Sequence, residues 1–268
     1  MEKYSVLMSL YAKERPEYLR LALDSMLRQT IRPDEIVLVE DGELTKELRA
    51  VLDEYEGRIT RVRNETNLGL GLSLNAGLKV CRNELVARMD TDDISKPDRC
   101  EKQLRRFAEK PELSIVGTWV DEFSQSTECV ISVRAVPTRY EDIYVFARRR
   151  SAFNHPTVMY RKSAVLAENG YADLRRNQDV DLFGRMLFHG HKAENIGESL
   201  LWFRSDEALA KRRKSWNNTR SYIGTIYRFW KMGYSGFVDF LIVLIAQTGM
   251  FLLPAGAQRW VYKTFLRK

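Results

Sequence analysis

Asp90, Asp92 and Asp93 place three carboxylates in the six-residue stretch Arg88-Met89-Asp90-Thr91-Asp92-Asp93. They follow a short apolar run, Glu84-Leu85-Val86-Ala87, that reads as a buried strand delivering clustered negative charge to a loop at its C-terminal end. Carboxylates this close repel one another and are tolerated where a hard cation neutralises them; oxygen donors suit Mg2+ or Mn2+. In open α/β sheets, ligands bind outside the carboxyl ends of strands. The pattern therefore predicts a divalent cation holding a phosphorylated ligand at that edge. The bland alternative is a solvated acidic turn that caps a helix starting near Pro97, because a D-x-D pattern is short and common.

The elements that must position this loop follow from periodicity. Tyr4–Leu10 reads as a first buried strand, and Arg15-Pro16-Glu17 opens a helix whose Leu19, Leu23, Met26 and Leu27 share one face. A second strand over 35–39 runs into Glu40-Asp41-Gly42, and a helix at about 44–56 and a strand at 58–63 follow. The turn-rich Asn64–Gly71 leads to a helix at about 72–81 and then to the strand before the acidic loop. Such β–α alternation predicts a mostly parallel sheet with helices on both faces. Beyond it, a helix is predicted at about 97–109, a strand at 114–119, less regular structure over 120–175, a helix at 179–188, and short strands near 192–196 and 200–204. In this sheet Tyr11, Asp41-Gly42, Asn67-Leu68-Gly69 and Asp90-x-Asp92 all fall at strand ends, along one edge. That conjunction is far more specific than any one of them.

At 268 residues and 44% hydrophobic content, the chain is sized for one large α/β domain with an appendage, and disorder is excluded. Three cysteines without metal-ligand spacing predict reduced, cytosolic thiols, and the N-terminus lacks the pattern of a signal peptide. The net charge of +7 is unevenly spread: residues 1–130 carry 20 Lys+Arg against 25 Asp+Glu, whereas 131–268 carry 23 against 11. After Glu207, Asp239 stands alone against eleven basic residues, which predicts a tail that meets an anionic surface.

Taken in order, Ser5–Tyr11, Pro16–Leu19 with Ser25–Thr30, Ile36–Gly42, Asn67–Gly69, Ala87–Asp93 and Asn177-Gln-Asp-Val-Asp-Leu182 resemble the family 2 glycosyltransferases of GT-A fold, over about residues 4–205, in the branch that builds bacterial O-antigen, capsule and exopolysaccharide. The resemblance implies a Rossmann-like α/β architecture and a set of roles. Tyr11 lines the base pocket, and Asp41 accepts a hydrogen bond from the base, by default uracil. Asn67 and Gly69 flank the nucleotide, and Arg88 helps with the phosphates. Asp90 contacts ribose or metal, and Asp92 binds the metal, Mg2+ or Mn2+. The family's general base, on a helix after the sheet, maps onto Asp179 within Gln178-Asp179, with Asp181 as the fallback. The Gln-x-x-Arg-Trp motif of processive members is absent, which implies single-sugar addition. Inversion at the anomeric carbon is likewise implied by the family alone.

Each of these residues has a plainer reading. Asp41-Gly42 is a common turn, and Asp179 could be a first-turn acid favoured by the helix dipole. His155 reads as a hydrogen-bonded structural histidine, His189 and His191 as a cationic helix end, and Arg148-Arg149-Arg150 as a solvated face with phosphate or lipid contact as the minority view. The chain divides into a catalytic domain, 1–205, and a C-terminal region, 206–268. In the latter, a basic aromatic helix over 208–231 and an apolar stretch, 237–253, precede a last amphipathic segment with Trp260, Tyr262 and Phe265. Asp239, Gln247 and Gly249 interrupt the apolar stretch, so an interfacial anchor is expected rather than a span. Basic residues near anionic lipid contribute on the order of 1 kcal/mol each. The alternative is a helix packed on the core or in a dimer. A nucleotide-sugar donor, UDP-linked by default, a lipid-pyrophosphate-linked glycan acceptor and the cytoplasmic face of the inner membrane complete the expectation. A nucleotidyltransferase lacks its Gly-rich phosphate loop here, and a nucleic-acid-binding protein lacks any supporting motif.

Overall fold

The computed structural model describes residues 2–205 and 215–253. Its first half is β1 (Tyr4–Leu10), α1 (Pro16–Leu27), β2 (Glu35–Asp41), α2 (Lys46–Glu54), β3 (Thr60–Asn64), α3 (Leu70–Val80) and β4 (Leu85–Arg88). Pro16 opens α1 and Glu17 follows in its first turn; the Thr45 hydroxyl caps α2 by accepting from the Leu48 amide at 3.3 Å. The four strands are parallel in the order β3-β2-β1-β4. The chain leaves β1 in one direction for β2 and β3, then returns to β4 on the other side. The reversal puts a crevice at the C-terminal ends of β1 and β4, where α/β proteins bind ligands. β1, β2 and β4 are buried on both faces, whereas the edge strand β3 is largely exposed: Val6, Met8 and Leu10 pack with Leu19, Leu23 and Met26 on one side, and Leu7, Val37 and Val39 with Leu74 and Leu78 on the other.

The second half departs from the simple alternation. It comprises β5 (Ile94–Ser95), α4 (Arg99–Glu109), β6 (Leu113–Phe123), β7 (Val130–Arg134), α5 (Tyr140–Ala147), a 3-10 turn (His155–Thr157), β8 (Met159–Arg161), α6 (Lys162–Ala167), α7 (Gln178–Phe188) and β9 (Lys192–Arg204). The sheet continues β4-β8-β6-β9-β5, with β7 on β6. The three-residue β8 is antiparallel to both neighbours, so it interrupts the parallel run that ends at β4; beyond it β6 and β9 are again parallel, and β5 and β7 are antiparallel edge strands. The two short strands predicted near 192–196 and 200–204 are one strand, β9, whose register against β6 shifts around Thr118–Asp121; the irregular register accounts for the apparent interruption in the sequence.

Two further helices, α8 (Trp216–Lys231) and α9 (Phe237–Leu252), close the described chain. The part of the predicted basic helix before residue 215, and the segment carrying Trp260, Tyr262 and Phe265, lie outside the described residues. The inner faces of this pair are part of the main core: Ile226, Phe229 and Val243 cluster with Val180, Phe183 and Leu187. The Arg148–Arg150 run, read as a solvated face, holds the pair in place. Arg149 forms an ion pair with Asp239, the Tyr222 hydroxyl donates to the Arg149 carbonyl at 3.1 Å, and the Ser235 hydroxyl donates to the Arg148 carbonyl at 2.8 Å. At the crossing of α7 and α8 a Cβ on Gly184 would lie 2.0 Å from Phe229 Cζ, so the ring occupies the volume the glycine leaves open. Gly184→Ala would gain helix propensity of about 1 kcal/mol, but overpacking a buried aromatic costs about 1–3 kcal/mol and wins. The variant is expected to melt below the wild type in a thermal scan, and adding Phe229→Leu should restore part of the loss; a melt at or above wild type for Gly184→Ala alone would refute this packing account.

Candidate active site

Backbone pairing aligns the predicted site residues before any side chain is considered. Leu10 pairs with Glu40, Asp41 with Asn64, and Leu7 with Arg88. Tyr11, Asp41, the 64–69 loop and the acidic loop therefore leave the sheet along one rim. The Met89 amide donates to the Leu7 carbonyl at 3.1 Å, which starts the acidic loop directly beside β1.

Within that loop, one carboxylate oxygen each from Asp90, Asp92 and Asp93 lies within 4.8 Å of the others. Asp90 and Asp92 are partly exposed and Asp93 is buried. The side chain of Arg88, fully buried beneath them, forms an ion pair with Asp90 at 2.5 Å. Its Nε and Nη2 have no hydrogen-bond partner among the described residues. Asp93 Oδ1 accepts from the Arg204 amide at 2.8 Å, while Oδ2 is buried without a partner among the described residues. Burial and the neighbouring Asp92 and Asp90 raise the Asp93 carboxyl well above the usual carboxylate range. Arg204 also donates from Nε to the Asp92 carbonyl at 2.9 Å, and its guanidinium lies over the Tyr18 ring at 3.7 Å. An orphaned carboxylate oxygen, an all-oxygen donor set and mutual repulsion fit a hard divalent cation. The helix-cap alternative does not describe the loop: α4 begins at Arg99, after β5, and its N-cap is Asp98.

On the other side of β1, Asp41 organises the 64–69 loop. Its Oδ1 accepts from Asn64 Nδ2 (3.2 Å) and the Leu68 amide (2.8 Å), and its Oδ2 from Asn67 Nδ2 (2.9 Å) and the Gly69 amide (3.0 Å). A carboxylate offers about four acceptor positions, and all four are taken. Gly42, at φ +87°, lets the loop close: a Cβ there would lie 2.8 Å from the Asn67 amide nitrogen. Arg175, from the segment before α7, reaches across to Asn67 Oδ1 at 3.3 Å.

The two carboxylates on α7 have different surroundings. Asp181 is buried between Arg185 Nε (2.9 Å) and Arg228 Nη2 (2.9 Å), and so ties α7 to α8. Asp179 is partly buried in the first turn. Burial raises its carboxyl, opposed first by the Val180 amide and its own, then by Arg134 and Arg88. Burial raises the Tyr171 hydroxyl, opposed by Arg88 and a hydrogen bond with Tyr160 and reinforced by Asp179 and Asp90. Behind them His155 Nε2 and the Tyr171 hydroxyl are 3.0 Å apart, and burial and Arg88 push His155 towards its neutral form. His155 is thus the structural histidine expected. His189 and His191 flank Glu168, at 2.8 and 3.6 Å. The sequence reading singled out neither Arg204, Arg175, Arg134 nor Tyr171. Each is a single side chain brought in by long-range pairing; Arg204 and Arg134 are basic residues that end strands, and of these two strand ends only that at 204 was expected from the sequence.

Residues 5–169 match the family described as Glycosyl transferase family 2. The chain is 38% identical to an uncharacterized glycosyltransferase of Haemophilus influenzae, over 99% of this chain and 100% of that protein. It is 34% identical to the Escherichia coli UDP-Gal:alpha-D-GlcNAc-diphosphoundecaprenol beta-1,3-galactosyltransferase, over 99% and 97%, and 35% identical to the amylovoran biosynthesis glycosyltransferase AmsE of Erwinia amylovora, over 97% and 98%. Its fold is similar to that of S. aureus TarS 1–349 in complex with UDP, with a TM-score of 0.68 at 15% identity over 97% of this chain and 78% of that one. It is also similar to the mannosyltransferase PcManGT from Pyrobaculum calidifontis in complex with GDP-Man and Mn2+, with a TM-score of 0.64 at 14% identity over 98% and 79%. With well over half its length matched by the family and near-full-length relatives above 30% identity, the chain is a GT-A-fold enzyme belonging to glycosyl transferase family 2.

Proposed function

We propose that this glycosyltransferase moves a single sugar from a UDP-sugar to a glycan linked through a diphosphate to a lipid, in cell-surface polysaccharide synthesis, with inversion at the anomeric carbon. The observation that carries the reading is the cluster of Asp90, Asp92 and Asp93 carboxylates at the rim where the β1 and β2 strand ends also emerge. The printed activity of the Escherichia coli relative and the amylovoran role of the Erwinia relative supply the acceptor class and the pathway class. The UDP complex of TarS supports the donor, and the Mn2+ complex of the mannosyltransferase supports the cation. The nucleotidyltransferase and nucleic-acid readings give way to the family match.

In this reading Asp92, Asp90 and Asp93 would hold a divalent cation, which when bound would supply positive charge to offset that of the leaving nucleoside diphosphate. Arg88, expected to meet the phosphates, is buried beneath the loop and acts by holding Asp90 and balancing the loop's charge from below. Tyr11 stacks beside the base. Asp41, with its acceptor positions filled by the loop, holds Asn67 and Gly69 against the nucleotide instead of bonding the base itself. Asp179 takes the proton of the acceptor hydroxyl from the face opposite the leaving group. Its raised carboxyl suits a base working near neutral pH; Asp181, locked between two arginines, does not serve. Residues 1–205 supply the catalytic domain, and the C-terminal region brings it to the cytoplasmic face of the membrane. Val238, Leu241, Ile242, Ile245 and Leu252 are exposed along α9. Among the described residues no helix is long and apolar enough to cross a membrane, so α9 lies in the interface.

Three outcomes follow. Asp179→Asn should lower transfer by roughly 10^2–10^4 while UDP-sugar affinity stays near wild type. Because a carboxyl with a raised native pKa holds its proton more tightly when folded, it costs stability above its unfolded value, and the variant should melt higher at neutral pH. The wild-type rate should fall with acidification through a limb above the ordinary carboxylate range; loss of donor affinity in the variant would remove Asp179 from the base role. Mn2+ should raise the melting temperature more at pH 8 than at pH 5.5, since protons on Asp93 compete with it, and Asp92→Asn should abolish the rise; an equal rise at both pH values would overturn the cation assignment. Ile242→Asp with Ile245→Asp, at positions 42% and 64% exposed, should leave the fold intact and abolish flotation with anionic liposomes, and retained flotation would defeat the interfacial role of α9.

A further inference from the structure

The acidic loop hangs from two separate parts of the sheet. Its entry is fixed on the β1 side: the Met89 amide donates to the Leu7 carbonyl, and the Thr91 hydroxyl lies 3.2 Å from Glu14 Oε2 and 3.4 Å from the Ser9 carbonyl. Its exit is fixed on β9, because β5 follows Asp93 directly and pairs Ile94 with Trp202 and Ser95 with Leu201. Between these supports one oxygen each of Asp90, Asp92 and Asp93 is held within 4.8 Å of the others. Carboxylates this close repel, and the loop would relieve the repulsion by spreading. Whatever opposes spreading must hold Asp92 and Asp93 from the β9 side.

Arg204, which ends β9, does so with both its backbone and its side chain. Its amide donates to Asp93 Oδ1 at 2.8 Å, and its Nε donates to the Asp92 carbonyl at 2.9 Å. Neither bond takes up a carboxylate oxygen of Asp92 or Oδ2 of Asp93. The residue is buried, and its guanidinium lies over two rings, 3.7 Å from the Tyr18 centroid and 4.5 Å from the Phe123 centroid. Tyr18 comes from α1 and Phe123 from β6, so the group is braced by elements outside the loop. Phe123 pairs with Arg204 across the ladder, and the Ser205 amide donates to the Phe123 carbonyl at 2.8 Å. A planar guanidinium can stack on a ring and donate in its own plane at once, which an ammonium cannot.

We propose that Arg204 is a positioning residue for the divalent cation: it holds Asp92 and Asp93 at the spacing a small octahedral ion demands, and so sets which ions the loop takes. The inference rests on the reading of the acidic loop as the cation site. Mg2+ requires near-ideal octahedral geometry, whereas Ca2+ accepts a looser and larger set of oxygens. A loop released from Arg204 therefore loses Mg2+ before it loses Ca2+.

The test titrates Mn2+ alone into the full-length enzyme, followed by the electron paramagnetic resonance signal of the free ion, and then measures Mg2+ and Ca2+ by displacement. Arg204→Met is expected to weaken Mn2+ by about 10–100-fold, the usual cost of removing a group that holds a metal ligand, and to weaken Mg2+ more than Ca2+. Arg204→Lys keeps the charge and should recover only part of the loss. Tyr18→Leu leaves both hydrogen bonds and removes one ring, which should weaken Mn2+ about two- to fivefold. If Arg204→Met does not fold, these two variants read the same Mg2+-to-Ca2+ ratio. Arg161 is the control, since it donates from Nε to the Leu113 carbonyl at 2.9 Å and lies over the Phe107 ring at 5.4 Å, at the opposite end of the sheet. Arg161→Met should melt below wild type yet bind Mn2+ as wild type does. Unchanged Mn2+ affinity in Arg204→Met, equal losses of Mg2+ and Ca2+, an Arg204→Lys variant indistinguishable from wild type, or an equal Mn2+ loss in Arg161→Met each overturns the positioning role and leaves the cation site standing. A wild type that takes up no Mn2+, or takes it up undiminished after Asp92→Asn, sinks the cation site and the positioning role with it.

Discussion

A guanidinium taken wholly out of water is the constraint on which this site depends. Arg88 closes β4 with its side chain buried, and desolvating a cation is affordable only when an opposite charge and good hydrogen bonds stand close. Asp90 supplies the opposite charge. The same cation acts on Asp93, on His155, on Tyr171 and on Asp179, so groups separated widely in sequence share one electrostatic centre. A second buried arginine holds the backbone there: Arg99 donates from Nη1 to the Arg88 carbonyl at 3.2 Å and to the Pro156 carbonyl at 2.7 Å. Negative charge on the loop is thereby fixed in place by positive charge beneath it.

The elements up to β4 were legible because parallel strands covered on both faces leave near-continuous apolar runs, and helices with one covered face leave a 3.6-residue period. Asp41, Asn67 and the acidic loop were legible for a related reason: the topology sends every strand end to one rim. The rest depends on pairing that no local window records. β8 is three residues long and carries no periodicity, yet it decides where Pro156 and His155 lie. The distinction between Asp179 and Asp181 rests on Arg228, which a neighbouring helix supplies. The filled acceptor positions of Asp41 likewise came from Asn64 at the end of β3 and from Asn67, Leu68 and Gly69, in a loop that passes close against Gly42.

The C-terminal helices belong to two environments at once. Their inner faces complete the core through Phe229 over Gly184 and through Arg228 on Asp181. Their outer face exposes Phe237, Val238, Ile242 and Ile245. The packing of α8 on α7 continues across residue 205, where the composition changes.

The insertion of β8 between β4 and β6 also bears on how the chain is made. During synthesis β1 to β4 can assemble as they emerge, but the outer side of β4 keeps its unpaired amides and carbonyls until Met159–Arg161 has left the ribosome. An open apolar sheet edge is a template for wrong partners. Translation through the α4–β7 stretch is therefore the interval in which the nascent chain most needs a chaperone.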